Sequence, residues 1–329
     1  MSPDPKTRAK RKGGTANSST NNSDDWEDNH ATQGQREGNN EKKNYGRHQT
    51  MPVLASDTYA VVDLPDLNEF DPTEIMDDST IVAVGKRRTG KTWVLRNIMW
   101  EKRDVFEAGI VFSQTDELNH FWRQYIPAKY IFKKYDPAVL DQVFQRQKDI
   151  LNSTTLTDQE KEKVAPFFIL LDDVISDDRL KWDSNLMELF VSGRHYKLFV
   201  LITTQYAKSI TPTLRGNTDY CIVMKTIQKR QLESLYEDYA GFLTKDAWGQ
   251  MVNEQTRDNH VMIVNTAQDD DRDPIDTLAW WKAVDPGPFV MGSEAYWDSA
   301  KVADDGGLPP MPGVISSRNM VNVKNVFPA

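Results

Sequence analysis

A glycine-bracketed segment between Gly85 and Thr92 carries the clearest chemical signal in the sequence. It reads GKRRTGKT, and it fits the pattern G-x-x-x-x-G-K-[ST] at every fixed position. A loop that wraps phosphates must point several backbone N–H groups inward, which requires conformations and close approaches that glycine alone tolerates. The segment therefore predicts a loop that binds the phosphates of a nucleotide.

The groups of this loop have separate predicted roles in binding ATP. The Lys91 ammonium would reach the β- and γ-phosphates, and the Thr92 hydroxyl would ligate Mg²⁺. A helix that begins near Gly90 would direct its positive end at the same anion. The residues predicted to contact the nucleotide are Gly85, Lys86, Arg87, Arg88, Thr89, Gly90, Lys91 and Thr92.

Two aspartates, Asp172 and Asp173, end the apolar run in PFFILLDDV. Buried parallel strands deliver their terminal side chains to the carboxyl edge of the sheet, where a phosphate loop also lies. Asp172 would hold Mg²⁺, directly or through a water molecule. Asp173 stands where many ATPases carry a glutamate that polarises the attacking water. The alternative is that both carboxylates merely end a strand at the surface.

Three further polar residues flank the apolar run LFVLITT. Gln205 follows the run and could sense the γ-phosphate or orient water, or it could be a loop glutamine with local hydrogen bonds. Arg194 precedes the run and Arg215 comes after it. Either arginine could complete the site of a neighbouring subunit by stabilising transition-state charge, and Arg194 is the favoured one. Otherwise they are surface cations or contacts to a phosphate backbone.

The apolar runs around these residues predict the strands that must position them. Runs such as IVAV and FFILL do not alternate apolar with polar residues, which suits strands covered on both faces. Predicted strands are 80–84, 108–113, 129–133, 167–171, 198–204, 219–226 and 260–266. Predicted helices are 91–102, 115–126, one opened by Asp136 and Pro137, and others near 183–192, 228–240 and 245–254.

This order of elements predicts an α/β fold with a mainly parallel central sheet flanked by helices. An acidic strand followed by an apolar strand that ends at a polar residue is typical of the additional-strand, RecA-like class of P-loop NTPases. In that class one strand lies between the loop strand and the acidic strand. We therefore expect the run that ends before Gln205 to occupy this position.

Composition divides the chain of 329 residues into three predicted parts. Residues 1–50 are almost entirely polar and cannot bury enough apolar surface to offset their ordering entropy, so we expect a disordered arm. Residues 51–285 form the predicted ATPase domain, and residues 286–329 an extended, flexible tail. The basic stretch from Lys6 to Lys12 is a solvated tail, a nuclear-import signal or a loose DNA contact.

The overall composition limits the class of protein. A formal charge of −9 argues against a general nucleic-acid coat but is compatible with a local basic channel. The one cysteine, Cys221, excludes an intramolecular disulfide and a cysteine-cluster metal site, and it fits a reducing compartment. Neither a membrane span nor a secretory signal is predicted. The sequence also lacks the N-K-x-D of GTPases and the arginine-rich lid of small-molecule kinases.

Five further segments extend the pattern beyond the glycine loop. They occur in order and read GIVFSQTDELNHFWRQYIP (109–127), ILLDD (169–173), GRHYKLFVLITTQY (193–206), PTLRGNTDYCIVMK (212–225) and WWKA (280–283). In these segments the chain resembles the genome-packaging ATPases of nucleocytoplasmic large DNA viruses. Those are the poxvirus-type packaging ATPases, a branch of the FtsK/HerA superfamily of P-loop NTPases. The resemblance covers roughly residues 80–283.

The resemblance implies an ATP-hydrolysing motor that translocates double-stranded viral DNA into a preformed capsid. It implies a homo-oligomeric ring, capsid proteins as partners, and a location at viral assembly sites in the host cytoplasm or nucleus, or in the virion. It also implies that Lys91, Thr92, Asp172, Asp173, Gln205 and Arg194 keep the roles given above. The alternatives are an ATP-dependent DNA translocase or helicase in replication or repair, and a nucleotide-binding scaffold for virion assembly.

Two features depart from the family pattern. Relatives more often have small residues where this loop has Lys86, Arg87 and Arg88, and the added charge would tighten triphosphate binding or contact a neighbour. The usual Asp-Glu pair is Asp-Asp here, which shortens the reach of Asp173 by one methylene. Candidates for the loops that grip DNA are residues 152–163 and 174–182, with plain surface loops as the alternative.

Overall fold

One sheet forms the centre of the computed structural model, which describes residues 64–175, 180, 182–267 and 271–301. Its nine strands within these ranges are β1 (Asn68–Glu69), β2 (Thr80–Val84), β3 (Ala108–Ser113), β4 (Ile131–Phe132), β5 (Phe167–Asp172), β6 (Leu198–Thr204), β7 (Tyr220–Val223), β8 (His260–Asn265) and β9 (Leu278–Lys282). The α-helices are α1 (Lys91–Glu101), α2 (Asp116–Asn119), α3 (Pro137–Leu151), α4 (Asp158–Val164), α5 (Ser184–Ser192), α6 (Pro212–Arg215), α7 (Lys229–Tyr239), α8 (Lys245–Gln255) and α9 (Glu294–Ser299).

The strands lie in the order β1-β9-β8-β7-β2-β6-β5-β3-β4. Strand β8 is antiparallel to both of its neighbours, and the other neighbouring pairs of the described sheet are parallel. Every residue of β2, β3 and β6 is buried, as uninterrupted apolar strands require. The prediction of a mainly parallel α/β sheet is confirmed.

Strand β6 lies between the strand before the glycine loop and the strand that carries the aspartates. Val82 of β2 pairs with Ile202 of β6, and Ile202 pairs with Leu171 of β5. The predicted additional strand is therefore present. Because β2, β5 and β6 run parallel, the chain segments that follow them all leave the sheet at one edge, here called the carboxyl edge.

Most predicted helices are present, but the one over 115–126 is much shorter. Helix α2 stops at Asn119, and His120 adopts a left-handed conformation with φ 53°. A 3₁₀ turn, Trp122–Gln124, follows. The chain turns back here because the buried Asp116 carboxylate accepts hydrogen bonds from the backbone N–H of Trp122 at 2.7 Å and from Arg123 at 3.0 Å. The helical prediction at 115–126 is wrong beyond its first turn.

Residues 286–301 differ from the extended tail that the sequence predicts. They include α9, and Met291 and Tyr296 are buried. The backbone N–H of Met291 donates to Tyr125 O at 2.8 Å, and the Tyr296 hydroxyl donates to Gly109 O at 2.6 Å. These apolar and polar contacts pack the segment against β3 and against the turn that contains Tyr125. Residues 302–329 lie outside the described residues.

Some elements of the structure were not predicted from the sequence, and some predicted segments lie outside the described residues. Strands β1 and β9 were not predicted, because β1 is too short for any pattern and β9 follows a polar loop. Helix α4 occupies much of the predicted loop 152–163, and a capping box between Thr157 and Glu160 starts it. The predicted arm 1–50 lies outside the described residues, and so does most of 176–181. No helix in the described ranges combines the length and apolar character needed to cross a membrane.

Candidate functional site

The glycine loop connects the end of β2 to the start of α1. Gly85 N donates to Thr204 O at 3.0 Å, and a Cβ at Gly85 would lie 2.4 Å from Met224 Cβ. Gly90 is the N-cap of α1 and adopts φ 91°, a left-handed conformation that other residues rarely take. Each glycine is therefore required for a different reason, Gly85 by close packing and Gly90 by its backbone angle.

Lys91 is the first residue of α1, and its ammonium group lies under the loop. Its Nζ donates to Gly85 O at 2.6 Å and to Lys86 O at 2.9 Å. Burial lowers the pKa of Lys91 below its usual value, although the charges of Asp173 and Asp172 act in the opposite direction. The charges of Asp172 and Asp173 are thus near enough to the Lys91 ammonium to act on its pKa.

The start of α1 has the features of an anion-binding site. Its N-cap is a glycine and offers no side chain to the N–H groups of the first turn. Lys86, Arg87 and Arg88 on the loop are exposed, and Thr92 is half-buried. N–H groups without a side-chain cap, the positive end of the helix and the cations Lys86, Arg87, Arg88 and Lys91 together favour a polyanion such as a triphosphate.

Asp172 ends β5, and each of its carboxylate oxygens accepts one hydrogen bond. Thr203 Oγ1 donates to Oδ1 at 2.8 Å, and Trp122 Nε1 donates to Oδ2 at 2.9 Å. Burial raises the pKa of Asp172 above its usual value, and the two hydrogen bonds moderate that rise. A carboxylate held in this way keeps lone pairs available for a cation or for its bound water.

Asp173 and Gln205 follow neighbouring strands and contact each other. Gln205 Nε2 donates to Asp173 Oδ2 at 2.7 Å. The backbone N–H of Asp173 donates to Thr203 Oγ1 at 2.8 Å, and Asp173 has φ 56°. The structure therefore brings Asp172, Asp173 and Gln205 together at the same edge as the phosphate loop.

The two candidate arginines lie at the opposite edge of the sheet. Arg194 is exposed in the 3₁₀ turn before β6, and Arg215 ends α6 before β7. Arg215 forms an ion pair of 2.8 Å with Asp238 and also donates to Ile210 O. Both arginines line a cavity of about 620 Å³. Neither can therefore reach the phosphate loop of its own chain, and Arg215 is engaged inside its own fold.

Three residues that contact the site were not identified from the sequence. Trp122 lies in a segment predicted as helix, Thr203 precedes the last residue of a buried strand, and Met224 follows β7. A polar Thr203 within an apolar strand is a weak signal that could have been noticed. Nothing in the local pattern predicts the contact between Trp122 and Asp172, which lie 50 residues apart in the chain.

The residues at the loop fit a magnesium–nucleotide complex. In the described residues no group of three or more His, Cys, Asp or Glu side chains could hold a metal ion by itself. Mg²⁺ beside a triphosphate needs only one or two protein oxygens, because phosphates and waters supply the others. The Thr92 hydroxyl and the Asp172 carboxylate are oxygen donors of the kind that Mg²⁺ prefers.

Comparison with known proteins gives one family and several viral relatives. The model of the family described as "Poxvirus A32 protein" matches residues 68–268. An uncharacterized protein of Acanthamoeba polyphaga mimivirus is 29% identical over 239 residues, covering 72% of this chain and 83% of the relative. An uncharacterized protein of Invertebrate iridescent virus 6 is 26% identical over 246 residues, covering 72% and 92%.

Among solved structures, the chain is similar to the genome packaging NTPase B204 from Sulfolobus turreted icosahedral virus 2. The complex of that protein with AMPPCP gives a TM-score of 0.44 at 15% sequence identity, over 64% of this chain and 100% of the other. The pCW3 conjugation coupling protein TcpA gives 0.43 at 14% identity, over 63% and 60%.

Proposed function

The chain belongs to the poxvirus A32 protein family, and on that premise we propose that it is an ATP-hydrolysing motor that packages double-stranded DNA into a preformed capsid. The observation that carries the proposal is the meeting of Lys91, Asp172, Asp173 and Gln205 at one edge of the sheet. A phosphate-binding lysine after β2 and a carboxylate pair at the end of β5, with β6 between these two strands, are the parts that hydrolysis of a nucleoside triphosphate needs.

Each residue of this site has a defined task in the proposed reaction. Lys91 and the N–H groups at the start of α1 bind the β- and γ-phosphates. Thr92 and Asp172 would hold Mg²⁺, which would supply positive charge against the phosphate oxygens when it is bound. Asp173 accepts the proton of the attacking water, and Gln205 keeps the Asp173 carboxylate in place through its amide.

Arg194 supplies the transition-state cation in trans within this proposal. The residue is exposed and lies at the edge opposite to its own phosphate loop. A head-to-tail contact between copies would place the arginine edge of one subunit against the carboxyl edge of the next, and such heterologous contacts form a ring when the rotation between subunits closes. Arg215 is the weaker candidate because Asp238 already pairs with it.

DNA handling follows from the same assignment. A motor must move any sequence, so its contacts go to phosphates, and DNA stimulation of hydrolysis should weaken steeply as salt increases. We place the working protein at viral assembly sites in the host cell, docked on the capsid.

The function is tested with the full chain, duplex DNA and empty viral particles. We expect hydrolysis that duplex DNA stimulates, and loading of DNA into particles, both abolished by Lys91→Ala. Lys282→Ala, which changes an exposed lysine on β9, is the matched control and should leave both activities intact. Stimulated hydrolysis without particle loading would support a translocase of replication or repair. Particle filling by Lys91→Ala would support a scaffold.

A further inference from the structure

Trp122 is a buried residue whose indole N–H points at Asp172, the last residue of β5. Its Nε1 donates to Asp172 Oδ2 at 2.9 Å, and the residue is only 1% exposed. An indole has one polar hydrogen and no acceptor, so this hydrogen bond uses its entire polar capacity. The bond orients one Asp172 oxygen. Its donor comes from a segment that lies outside the glycine loop and outside β5.

The second Asp172 oxygen has a donor from another element. Thr203 Oγ1, on β6, donates to Oδ1 at 2.8 Å. Both donors are uncharged, so they orient the carboxylate without neutralising it. This is the arrangement by which outer partners fix metal-ligating carboxylates and leave their charge for the cation.

The chain holds Trp122 in place with a buried carboxylate. Asp116, which is 1% exposed, accepts the backbone N–H of Trp122 at 2.7 Å and Arg123 Nε at 3.0 Å. The Phe121 ring packs edge-on against the indole, with 4.9 Å between centroids. Helix α2 ends before these hydrogen bonds form. The backbone at this point is therefore non-helical, and this conformation sets the position of the Trp122 side chain.

We propose that Trp122 is a positioning residue that orients the Asp172 carboxylate for the magnesium ion of the bound nucleotide. The inference rests on the proposed function, because it requires Asp172 to act as a metal ligand. Loss of such an outer partner typically weakens metal binding or activity by about 10- to 100-fold. Trp122 acts through Asp172, because its one polar hydrogen is already bound to that carboxylate.

A purely structural role for Trp122 makes a different prediction. In that case the ring would matter for packing and the N–H would not. Trp122→Phe keeps an aromatic ring and removes the N–H. Substitution of β-(3-benzothienyl)alanine at the same position keeps the ring size and replaces only the N–H by sulphur, so it remains informative if the phenylalanine variant folds poorly.

The first measurement is the free Mg²⁺ concentration that gives half-maximal ATP hydrolysis by the full chain. We expect it to rise by about 10-fold in both Trp122 variants, with ATP binding in EDTA unchanged. Trp248→Phe is the matched control, since Trp248 is also 1% exposed and donates its N–H to a backbone oxygen, Leu232 O, at 3.1 Å. The control should keep the parent requirement for Mg²⁺.

The second measurement follows the binding of Mg²⁺ and nucleotide and does not require hydrolysis. In protein labelled with 5-fluorotryptophan, the fluorine resonance that disappears in Trp122→Phe is expected to shift when Mg²⁺ is added to the complex with a non-hydrolysable ATP analogue. The resonance of Trp248 should not move. An unchanged Mg²⁺ requirement in the benzothienyl variant, or a Trp122 resonance insensitive to Mg²⁺, overturns the proposal. A parent chain that hydrolyses no ATP refutes the proposed function instead, and the fluorine measurement still decides on Trp122.

Discussion

Gln205 Nε2 donates a hydrogen bond of 2.7 Å to Asp173 Oδ2, which joins the residue after β6 to the residue after β5. The Asp173 backbone is held as well, because its N–H donates to Thr203 Oγ1. Its φ of 56° lies in a region that aspartate and asparagine enter more readily than most residues. The proposed base is thus oriented at both its backbone and its side chain.

Gln205→Ala is expected to lower the rate of hydrolysis by about 100-fold, because a loosely held base is displaced from the attacking water. ATP affinity should remain at the parent value, since Lys91 and α1 bind the phosphates. Single-turnover hydrolysis and equilibrium binding of a fluorescent nucleotide separate the two effects. Gln145→Ala is the control, because exposed Gln145 makes a similar bond to Asp149 at 2.7 Å on α3. Equal losses of rate and affinity would contradict the assignment.

Arg194→Ala is expected to remove hydrolysis while leaving nucleotide binding unchanged and the free energy of unfolding within about 0.5 kcal/mol of the parent value, because this arginine is exposed. Mixing it with Asp173→Asn should restore part of the activity. In a mixed ring, the intact Asp173 of one subunit can meet the intact Arg194 of the next. Two inactive variants that stay inactive when mixed and reassembled would exclude the role in trans.

Arg215→Ala should behave differently from Arg194→Ala. Breaking its ion pair with Asp238 is expected to lower the free energy of unfolding by about 2 kcal/mol, because the pair is largely buried. Urea unfolding followed by circular dichroism measures this change. A variant as stable as the parent, yet inactive, would instead make Arg215 the catalytic arginine.

Gly292→Ala is expected to destabilise the protein by about 3 kcal/mol. Gly292 has φ 81°, and an added Cβ would lie 2.4 Å from the Tyr296 ring and 2.8 Å from Glu107 O. Gly249→Ala is the contrasting change, because nothing lies within 4 Å of that site inside α8. It should stabilise the protein by about 1 kcal/mol through helix propensity. Urea unfolding of both variants checks whether residues 286–301 are integral to the domain.

Asp219→Asn is expected to change how stability depends on pH. Burial raises the pKa of the Asp219 carboxyl, although its bond from Thr80 N and the charge of Arg194 oppose the rise. A carboxyl with a raised folded-state pKa favours folding when protonated and loses that contribution as pH rises. The variant should therefore gain stability relative to the parent from about pH 4 upward. Urea unfolding of both proteins across this pH range measures the difference in their free energies of unfolding. A difference that does not change with pH would contradict the prediction.

The sequence by itself determined the parallel strands that carry the site, and the composition of the main site. Uninterrupted apolar runs predict strands buried on both faces, and the positions of Lys91, Asp172 and Gln205 after such runs place them at one edge. This inference needs only local pattern and the rule that parallel strands end at the same side. That is why the glycine loop, the aspartate pair and the additional strand could be predicted without coordinates.

Only the tertiary structure decided which groups hold those residues in place. Trp122 reaches Asp172 because buried Asp116 outcompetes the helix that local propensity favours at 115–126. Met291 and Tyr296 join the core through contacts to Tyr125 and Gly109, far away in the chain. Hydrogen bonds and packing between distant segments leave no periodic trace in a sequence, and so their outcome appears only when the whole chain is folded.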